Sequence, residues 1–179
     1  YTYAEFGERV ERAAAALSTL GVEQGDRVAL LAPNTHWFLE TLYAINVLGA
    51  ISVPLNYRLL AEDYAYILED CRAEVVVADY EYTEPVEAVR DRVPATTFVA
   101  NPADRADGDW HDYETLLAQA DPSTVERPDI TEDDPATINY TSGTTGDPKG
   151  VVRTHRTEHW HALILTHHTE VTDDDVYLW

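Results

Sequence analysis

The feature that most constrains the fold is a regular alternation of short apolar runs with longer helical patterns. Four runs rich in valine, leucine, isoleucine and alanine recur along the first hundred residues, at 27–32, 50–54, 74–78 and 96–100. Such runs are typical of strands buried in a parallel sheet, and helices between them are typical of βαβ units. The alternation therefore predicts an α/β fold in which β-sheet is layered with helices.

The predicted helices carry local signals at their ends. Thr2 and Glu5 have the spacing of a capping box, and Gly21 suits the left-handed turn that ends a helix. Asn34 is the predicted cap of a second helix, which runs to about Leu48 and is apolar nearly all round, so we expect it to be largely buried. Two further helices are predicted at 62–72 and 83–92.

Residues 101–135 differ in composition from the sequence on both sides. Aspartate, proline and alanine are frequent there, and a helical pattern is limited to 110–120. We interpret this segment as a surface excursion within one domain rather than as a boundary between two. The apolar pattern then resumes and predicts strands at 136–140 and 151–154, followed by a helix at 155–169.

The two ends of the chain suggest a longer domain. The sequence opens directly in a helical pattern and stops in a strand-like one, so we expect residues 1–179 to be truncated on the C-terminal side and to lack a few tens of residues at the start. No signal peptide is visible, and no apolar run approaches the ~20 residues of a membrane-spanning helix. Cys71 is the only cysteine, which excludes an internal disulfide and fits a cytoplasmic location.

Charge is the most extreme property of the composition. The chain has 33 acidic and 12 basic residues, a formal net charge of -21, and it would repel nucleic acid and anionic membranes. Two interpretations stay open: an ordinary acidic enzyme, or a halophilic protein of a salt-rich cytoplasm, where molar salt shortens the Debye length to ~3 Å. The second is favoured because Lys149 is the only lysine in the chain.

The segment 140–151 (YTSGTTGDPKGV) concentrates residue types that bind phosphate. Its glycines let backbone N–H groups approach an anion, and each of its hydroxyl groups can donate a hydrogen bond worth ~1.5–3 kcal/mol to a charged oxygen. Lys149 adds a positive charge. The spacing differs from the G-x-x-x-x-G-K-[ST] loop of P-loop NTPases, because Gly150 follows the lysine. The alternative is a flexible connector in which Pro148 and Gly150 are ordinary turn formers.

This string resembles the phosphate-binding loop of the adenylate-forming superfamily, which includes acyl-CoA synthetases, luciferases and the adenylation domains of peptide synthetases. Further stretches resemble the family in its usual order: GDRV at 25–28, APN at 32–34, LGA at 48–50, VPLN at 53–56 and YILED at 66–70. Residues 138–150 and the ending VYLW are most similar to medium- to long-chain fatty acyl-CoA ligases. The resemblance implies that 1–179 is part of the large N-terminal AMP-binding domain of such an enzyme.

The resemblance also implies a reaction and the residues that serve it. A carboxylate attacks the α-phosphate of ATP with Mg²⁺ present, which gives acyl-AMP and pyrophosphate, and the thiol of CoA then displaces AMP. The residues implied to hold the β- and γ-phosphates are Thr141, Ser142, Gly143, Thr144, Thr145, Gly146 and Lys149. Thr141 is implied to help place Mg²⁺ as well. The adenine site and the catalytic lysine of the family would follow Trp179, so we expect no catalytic residue in this chain and no activity from it alone.

Other groups have competing interpretations. His155 and His159 are spaced as a pair of metal ligands on one helix, but no third ligand completes a site, so a polar or partly buried helix surface is favoured. The acidic run 173–175 fits a solvated turn better than a cation site. Asp147 places a negative charge in the phosphate loop, and we expect its side chain to point outward.

Two questions stay open at the level of the whole protein. An aromatic group on the second helix (Trp37, Phe38 and Tyr43) fits either core packing, which is favoured, or an acyl pocket. The alternatives to a fatty acyl-CoA ligase are an amino-acid or aryl-acid adenylating enzyme, a phosphate- or nucleotide-binding module, and an inactive remnant of a ligase. The sequence leaves homo-oligomerisation open.

Overall fold

A computed structural model describes residues 1–141, 147–172 and 175 of the chain. The strands are β1 (Arg27–Leu31), β2 (Ile51–Pro54), β3 (Val75–Asp79), β4 (Thr97–Asn101), β5 (His111–Asp112), β6 (Pro135–Thr141) and β7 (Lys149–Thr154). They form one sheet in the order β5-β4-β3-β1-β2-β6-β7. Neighbours from β5 to β6 are parallel, whereas β7 is antiparallel to β6. The predicted α/β architecture is confirmed.

Helices cover both faces of this sheet. They are α1 (Tyr3–Thr19), α2 (His36–Val47), α3 (Ala61–Asp70), α4 (Thr83–Glu87), α5 (Tyr113–Gln119) and α6 (His155–Thr169), with single 3₁₀ turns at Tyr80–Tyr82, Arg90–Arg92, Ala103–Arg105 and Pro122–Thr124. Side chains of α1, α2 and α5 pack on one face, and those of α3 and α4 on the other. None of the helices in the described part of the chain is both long and apolar enough to cross a membrane.

The alternation of side chains along each strand produces two apolar cores. On β1, Val28 and Leu30 face α1, α2 and α5, while Ala29 and Leu31 face α3 and α4. All four side chains are fully buried. Both faces of the central strands are therefore covered, which explains why these strands are apolar at consecutive positions.

The predicted ends of α1 are confirmed. The hydroxyl of Thr2 accepts a hydrogen bond from the backbone N–H of Glu5 at 3.2 Å, and the carboxylate of Glu5 accepts one from the N–H of Thr2 at 2.7 Å. Gly21 has a φ of +93°, so it adopts the left-handed conformation expected after the helix.

One detail predicted for α2 is wrong. Thr35, not Asn34, caps the helix, because its hydroxyl lies within reach of the N–H of Phe38 (3.3 Å), three residues ahead. The helix is largely buried, as predicted, and only His36 and Tyr43 are exposed. Tyr43 is 52% exposed, whereas the charged Glu40 is fully buried because other polar side chains surround it.

The helix predicted over 83–92 is shorter than expected. The α-helical part is Thr83–Glu87, and a separate 3₁₀ turn, Arg90–Arg92, follows it. Val89 leaves helical geometry between the two with a φ of -122°, and its side chain is buried. Burial of Val89 thus takes precedence over continuation of the helix.

Residues 101–135 contain β5 and α5 and are otherwise irregular apart from two 3₁₀ turns. Most of their side chains are exposed or half-buried, but Trp110, Tyr113 and Leu117 reach the two cores. The description of this segment as an excursion within one domain stays a prediction. Of the acidic run 173–175, residues 173 and 174 lie outside the described part, as does the strand-like ending 176–179.

Candidate functional site

The described ends of the predicted phosphate loop, Thr141 and Lys149, lie at the edge of the sheet where the parallel strands end. β2 and β6 are adjacent and parallel, with Ser52 facing Thr137, so β6 ends at the same edge as β1 to β4. Ligands of open α/β sheets bind beyond this carboxyl edge. Thr141 ends β6 and Lys149 begins β7, so the connection 142–148 starts and finishes there.

Thr141 and Lys149 form the base of this connection. The strand register pairs them directly, and both are exposed. Side chains opposite each other in an antiparallel pair lie on one face, with Cβ atoms about 4.5–5.5 Å apart. The fold thus brings one hydroxyl and the only lysine of the chain together. The other residues implied to bind phosphate lie outside the described residues, namely Ser142, Gly143, Thr144, Thr145 and Gly146.

Gly150 serves a different purpose from the turn-forming role considered for it. It lies in β7 opposite Tyr140, and a Cβ atom at this position would meet the Cγ2 atom of Ile138 at 2.9 Å and the Cζ atom of Tyr140 at 3.0 Å. Real Cβ atoms essentially never come as close as the contact with Ile138, and the contact with Tyr140 is closer than most. Glycine is therefore needed here for space, because the tyrosine ring lies against its backbone.

Tyr140 also joins the base of the loop to α3. Its hydroxyl donates a hydrogen bond of 2.5 Å to Oδ2 of Asp70, the last residue of that helix. Burial, followed by this hydrogen bond, raises the pKa of Tyr140, so the phenol is protonated at neutral pH and acts as the donor. The sequence analysis predicted neither the role of Tyr140 as donor nor that of Asp70 as acceptor, because the two residues are 70 positions apart.

Asp147 is exposed, and the expectation that its side chain points away from bound phosphate stays a prediction. Burial, then the charges of Asp70 and Asp147, raise the pKa of the half-buried Tyr66 on α3.

A second cation lies at the same edge and was not singled out from the sequence. Arg58 follows the end of β2, is exposed, and has its Cζ atom 5.3 Å from the centre of the Tyr57 ring. That ring in turn lies 5.2 Å from the ring of Tyr82. Among the described residues, no carboxylate forms an ion pair with Arg58. The guanidinium is therefore available to an anion at this edge, and its position after a strand was the only sequence signal for it.

The histidines of α6 do not form a metal site in the described part of the chain, where no group of three or more histidine, cysteine, aspartate or glutamate side chains could hold an ion. His155 is half-buried and His159 is exposed, in agreement with the interpretation of a polar or partly buried surface.

The aromatic group on α2 divides between core and surface. Trp37 is buried, and its ring centre lies 5.7 Å from that of Tyr113 on α5. Tyr43 instead lies beside Phe6 and borders a cavity of about 540 Å³ between the starts of α1 and α2. Trp37 is thus a core residue, and the acyl-pocket interpretation has no support at its position.

Glu40 is the one fully buried carboxylate among the described residues. Its carboxylate lies 2.7 Å from Nε of Arg9 and 2.9 Å from Nδ1 of His36, and it accepts a hydrogen bond from the hydroxyl of Tyr113 at 3.3 Å. Arg9 also binds Glu114, and its hydrogen bond to Glu40 raises the pKa of the guanidinium. Because all its partners belong to α1, α2 and α5, Glu40 joins helices rather than offering a group to a ligand.

Comparison with known proteins assigns the chain to a family. A family model of AMP-binding enzymes matches residues 1–179. Crotonobetaine/carnitine–CoA ligase of Escherichia coli (strain ATCC 8739) is 36% identical over 185 residues, which cover 99% of this chain and 35% of that protein. The chain belongs to the AMP-binding enzyme family, and it spans about a third of the length of the curated relatives it matches.

Solved structures agree with this assignment. The inhibitor-bound N-terminal domain of FACL13 from Mycobacterium tuberculosis is 36% identical, with a TM-score of 0.79 over 89% of this chain and 38% of that one. A long-chain-fatty-acid–CoA ligase (FadD1) from Archaeoglobus fulgidus is 26% identical, with a TM-score of 0.86 over 96% of this chain and 33% of that one. The fold is that of the N-terminal domains of adenylate-forming enzymes.

Proposed function

We propose that the natural protein containing this chain activates a carboxylic acid with ATP, releasing pyrophosphate, and transfers the acyl group from AMP to CoA. The observation that carries the proposal is the pairing of Thr141 with Lys149 at the carboxyl edge of the sheet. Membership of the AMP-binding family and similarity to CoA ligases support the reaction class.

The proposed role of the loop is to bind the pyrophosphate end of ATP. Lys149 supplies a positive charge, and the hydroxyl of Thr141 donates a hydrogen bond beside it. Ser142, Gly143, Thr144, Thr145 and Gly146 are proposed to add hydroxyl and backbone donors. As the bond to the α-phosphate breaks, negative charge grows on the departing pyrophosphate, and fixed donors lower the barrier by stabilising that charge.

A magnesium ion is proposed to arrive with the nucleotide. At such sites Mg²⁺ is bound by substrate phosphates, water and one or two protein ligands, which are usually carboxylates and in some nucleotide sites include a Ser or Thr hydroxyl. Thr141 offers one hydroxyl oxygen, and no cluster of acidic or histidine ligands in the described part provides a separate site. When bound, Mg²⁺ would neutralise phosphate charge, and Thr141 would orient it.

The acid is proposed to be a medium- to long-chain fatty acid. Support comes from the long-chain-fatty-acid–CoA ligase among the similar structures, whereas the E. coli relative is named for crotonobetaine and carnitine. We further propose a cytoplasmic enzyme adapted to high salt, on the basis of the net charge of -21. Residues 1–179 are proposed to be part of a larger AMP-binding domain, with 101–135 as an excursion from it.

The decisive experiment is carboxylate-dependent exchange of labelled pyrophosphate into ATP by the full-length natural protein. A panel of fatty, aryl and amino acids is compared, and CoA thioester formation is then followed with the acids that support exchange. Exchange with fatty acids supports the proposal. Exchange restricted to amino or aryl acids would replace the fatty acid with the other substrate class.

Lys149→Ala tests the loop directly. Loss of one charge-assisted hydrogen bond of ~1.5–3 kcal/mol predicts a roughly 10- to 100-fold lower kcat/KM for exchange, with the melting temperature unchanged. Arg127→Ala is the matched control, because it removes the same charge from an exposed pair with Glu11. Equal effects of both variants would mean that only net charge matters.

A phosphate-binding module or an inactive remnant of a ligase is the second candidate. The composition of the loop is the only support for this second candidate, because binding phosphate requires neither an acyl site nor a CoA site. Nucleotide binding without exchange for any acid of the panel would establish this alternative for the full-length protein. The chain on its own is proposed to be inactive in either case.

A further inference from the structure

The outer half of the β6–β7 hairpin has few hydrogen bonds to the rest of the sheet, although β6 lies alongside β2. The pairing of β6 with β2 is confined to Ser52 and Thr137, and from Ile138 to Thr141 the register of β6 continues with β7 alone. β7 is the last strand of the sheet in the described part of the chain. Hydrogen bonds between β6 and β2 therefore do not fix the position of the paired residues Thr141 and Lys149.

One polar contact ties this outer half to the rest of the domain. Across 139–141 and 147–152, the hydrogen bond from Tyr140 to Asp70 is the only hydrogen bond or ion pair that reaches another element of the described structure. The acceptor lies at the end of α3, and α3 is itself anchored in a core by Tyr64 and Leu68. The hydroxyl of Tyr140 thus connects the hairpin to a fixed helix.

Packing of the Tyr140 ring on two sides holds its hydroxyl in place beside Asp70. It packs against the core that α3 helps to form, and its outer atoms lie against Gly150 on the facing strand. Both strands are therefore held by one side chain, since β6 carries Tyr140 and β7 passes directly beneath its ring. Toward the loop, the next pair of facing residues on the two strands is Thr141 and Lys149.

We propose that Tyr140 and Asp70 are positioning residues, which set the place of Thr141 and Lys149 relative to the carboxyl edge of the sheet. This inference rests on the proposed function for its consequence, the binding of ATP. Its structural content, a hairpin end held to α3 by the hydrogen bond from Tyr140 to Asp70, does not depend on the reaction.

Tyr140→Phe in the full-length natural protein tests the proposal, because it removes only the hydroxyl. We expect KM for ATP in pyrophosphate exchange to rise roughly 3- to 30-fold, less than the full ~10- to 100-fold effect of losing a hydrogen bond to a charged group, because the lost bond positions the ATP ligands and does not itself contact ATP. KM for the acid should change little, and the melting temperature should fall by no more than the few degrees that loss of one hydrogen bond explains. Tyr66→Phe is the matched control, since it removes a hydroxyl from α3 that makes no hydrogen bond to any residue in the described part of the chain.

Asp70→Asn and the double variant identify the partner. If the two side chains act through one contact, the double variant should raise KM for ATP no further than the larger single effect. Additive effects of the two substitutions would overturn the proposal, and so would equal effects of Tyr140→Phe and Tyr66→Phe.

Hydrogen exchange separates this inference from the proposed function. The amides of Thr141, Lys149 and Gly150 should exchange faster in Tyr140→Phe than in the wild-type and Tyr66→Phe proteins, while the β1 and β3 amides remain unchanged. Unaltered exchange at these amides would refute the positioning role. If the wild-type protein shows no pyrophosphate exchange, the proposed function fails, and the amide measurement still decides the inference.

Discussion

At the scale of single residues, the base of the loop depends on the absence of a side chain at Gly150. A Cβ atom at this position would lie 2.9 Å from Cγ2 of Ile138 and 3.0 Å from Cζ of Tyr140, so at least one of these side chains would have to shift. The conformation of Gly150 does not require glycine, since its φ lies outside the left-handed region. Crowding is therefore the reason for glycine at this position.

Gly150→Ala should lower the free energy of unfolding by about 1–3 kcal/mol, the usual cost of forcing an extra methyl group into a packed site. Gly7→Ala is the control: a Cβ atom there meets nothing within 4 Å, and Gly7 lies inside α1. That substitution should stabilise the protein by about 0.5–1 kcal/mol. Denaturant unfolding measures both, and a loss at Gly7 equal to that at Gly150 would contradict the steric explanation.

At the scale of elements, α1, α2 and α5 are joined by a charged group within an apolar layer. Glu40 is fully buried on α2, Arg9 reaches it from α1, and Tyr113 reaches it from α5. Burial raises the pKa of Tyr113, so this phenol is protonated at neutral pH and can donate. A buried carboxylate without its arginine would carry an uncompensated charge, which is costly.

Arg9→Met should therefore destabilise the protein by about 3–5 kcal/mol in denaturant unfolding. Arg92→Met is the matched control, because its pair with Glu62 is exposed on both sides, and such pairs contribute about 0–1 kcal/mol. Similar losses in the two variants would show that water reaches Glu40 and that the pair behaves like a surface one.

At the scale of the whole molecule, negative charge cannot be balanced within the chain. If every basic residue paired with one carboxylate, an excess of 21 acidic residues would stay unpaired. Salt weakens the exposed ion pairs, but it also screens the repulsion among this larger number of unpaired carboxylates. Repulsion is the larger effect, so stability should increase with salt.

The melting temperature of the natural protein should consequently rise between low salt and 2 M KCl, by ~2–4 °C for each kcal/mol of repulsion removed. A variant that combines Asp104→Asn, Asp107→Asn and Asp129→Asn should show a smaller rise, because these exposed carboxylates contribute to the repulsion. A melting temperature independent of KCl would support an ordinary acidic enzyme.

Much of the fold could be predicted from the sequence because its signals are local. The apolar runs of β1 to β4, the capping box of α1 and the limits of α6 each depend on residues within a few positions of one another. One error was local, since the cap of α2 is Thr35 and not its neighbour Asn34. The helix predicted over 83–92 ends early, at Glu87, where Val89 turns into the core. The burial of Glu40 could not be predicted, because its partners Arg9 and Tyr113 come from two other helices.

The sequence by itself determined the α/β class and the phosphate-binding composition of 140–151, because periodicity and residue type are properties of neighbouring positions. Only the tertiary structure decided that Thr141 and Lys149 face each other at the carboxyl edge of the sheet, and that the hydroxyl of Tyr140 reaches Asp70. The partners of that hydrogen bond are 70 positions apart, and those of Arg9 and Glu40 are 31 apart. Such contacts exist only after helices and strands have packed, so no local pattern specifies them.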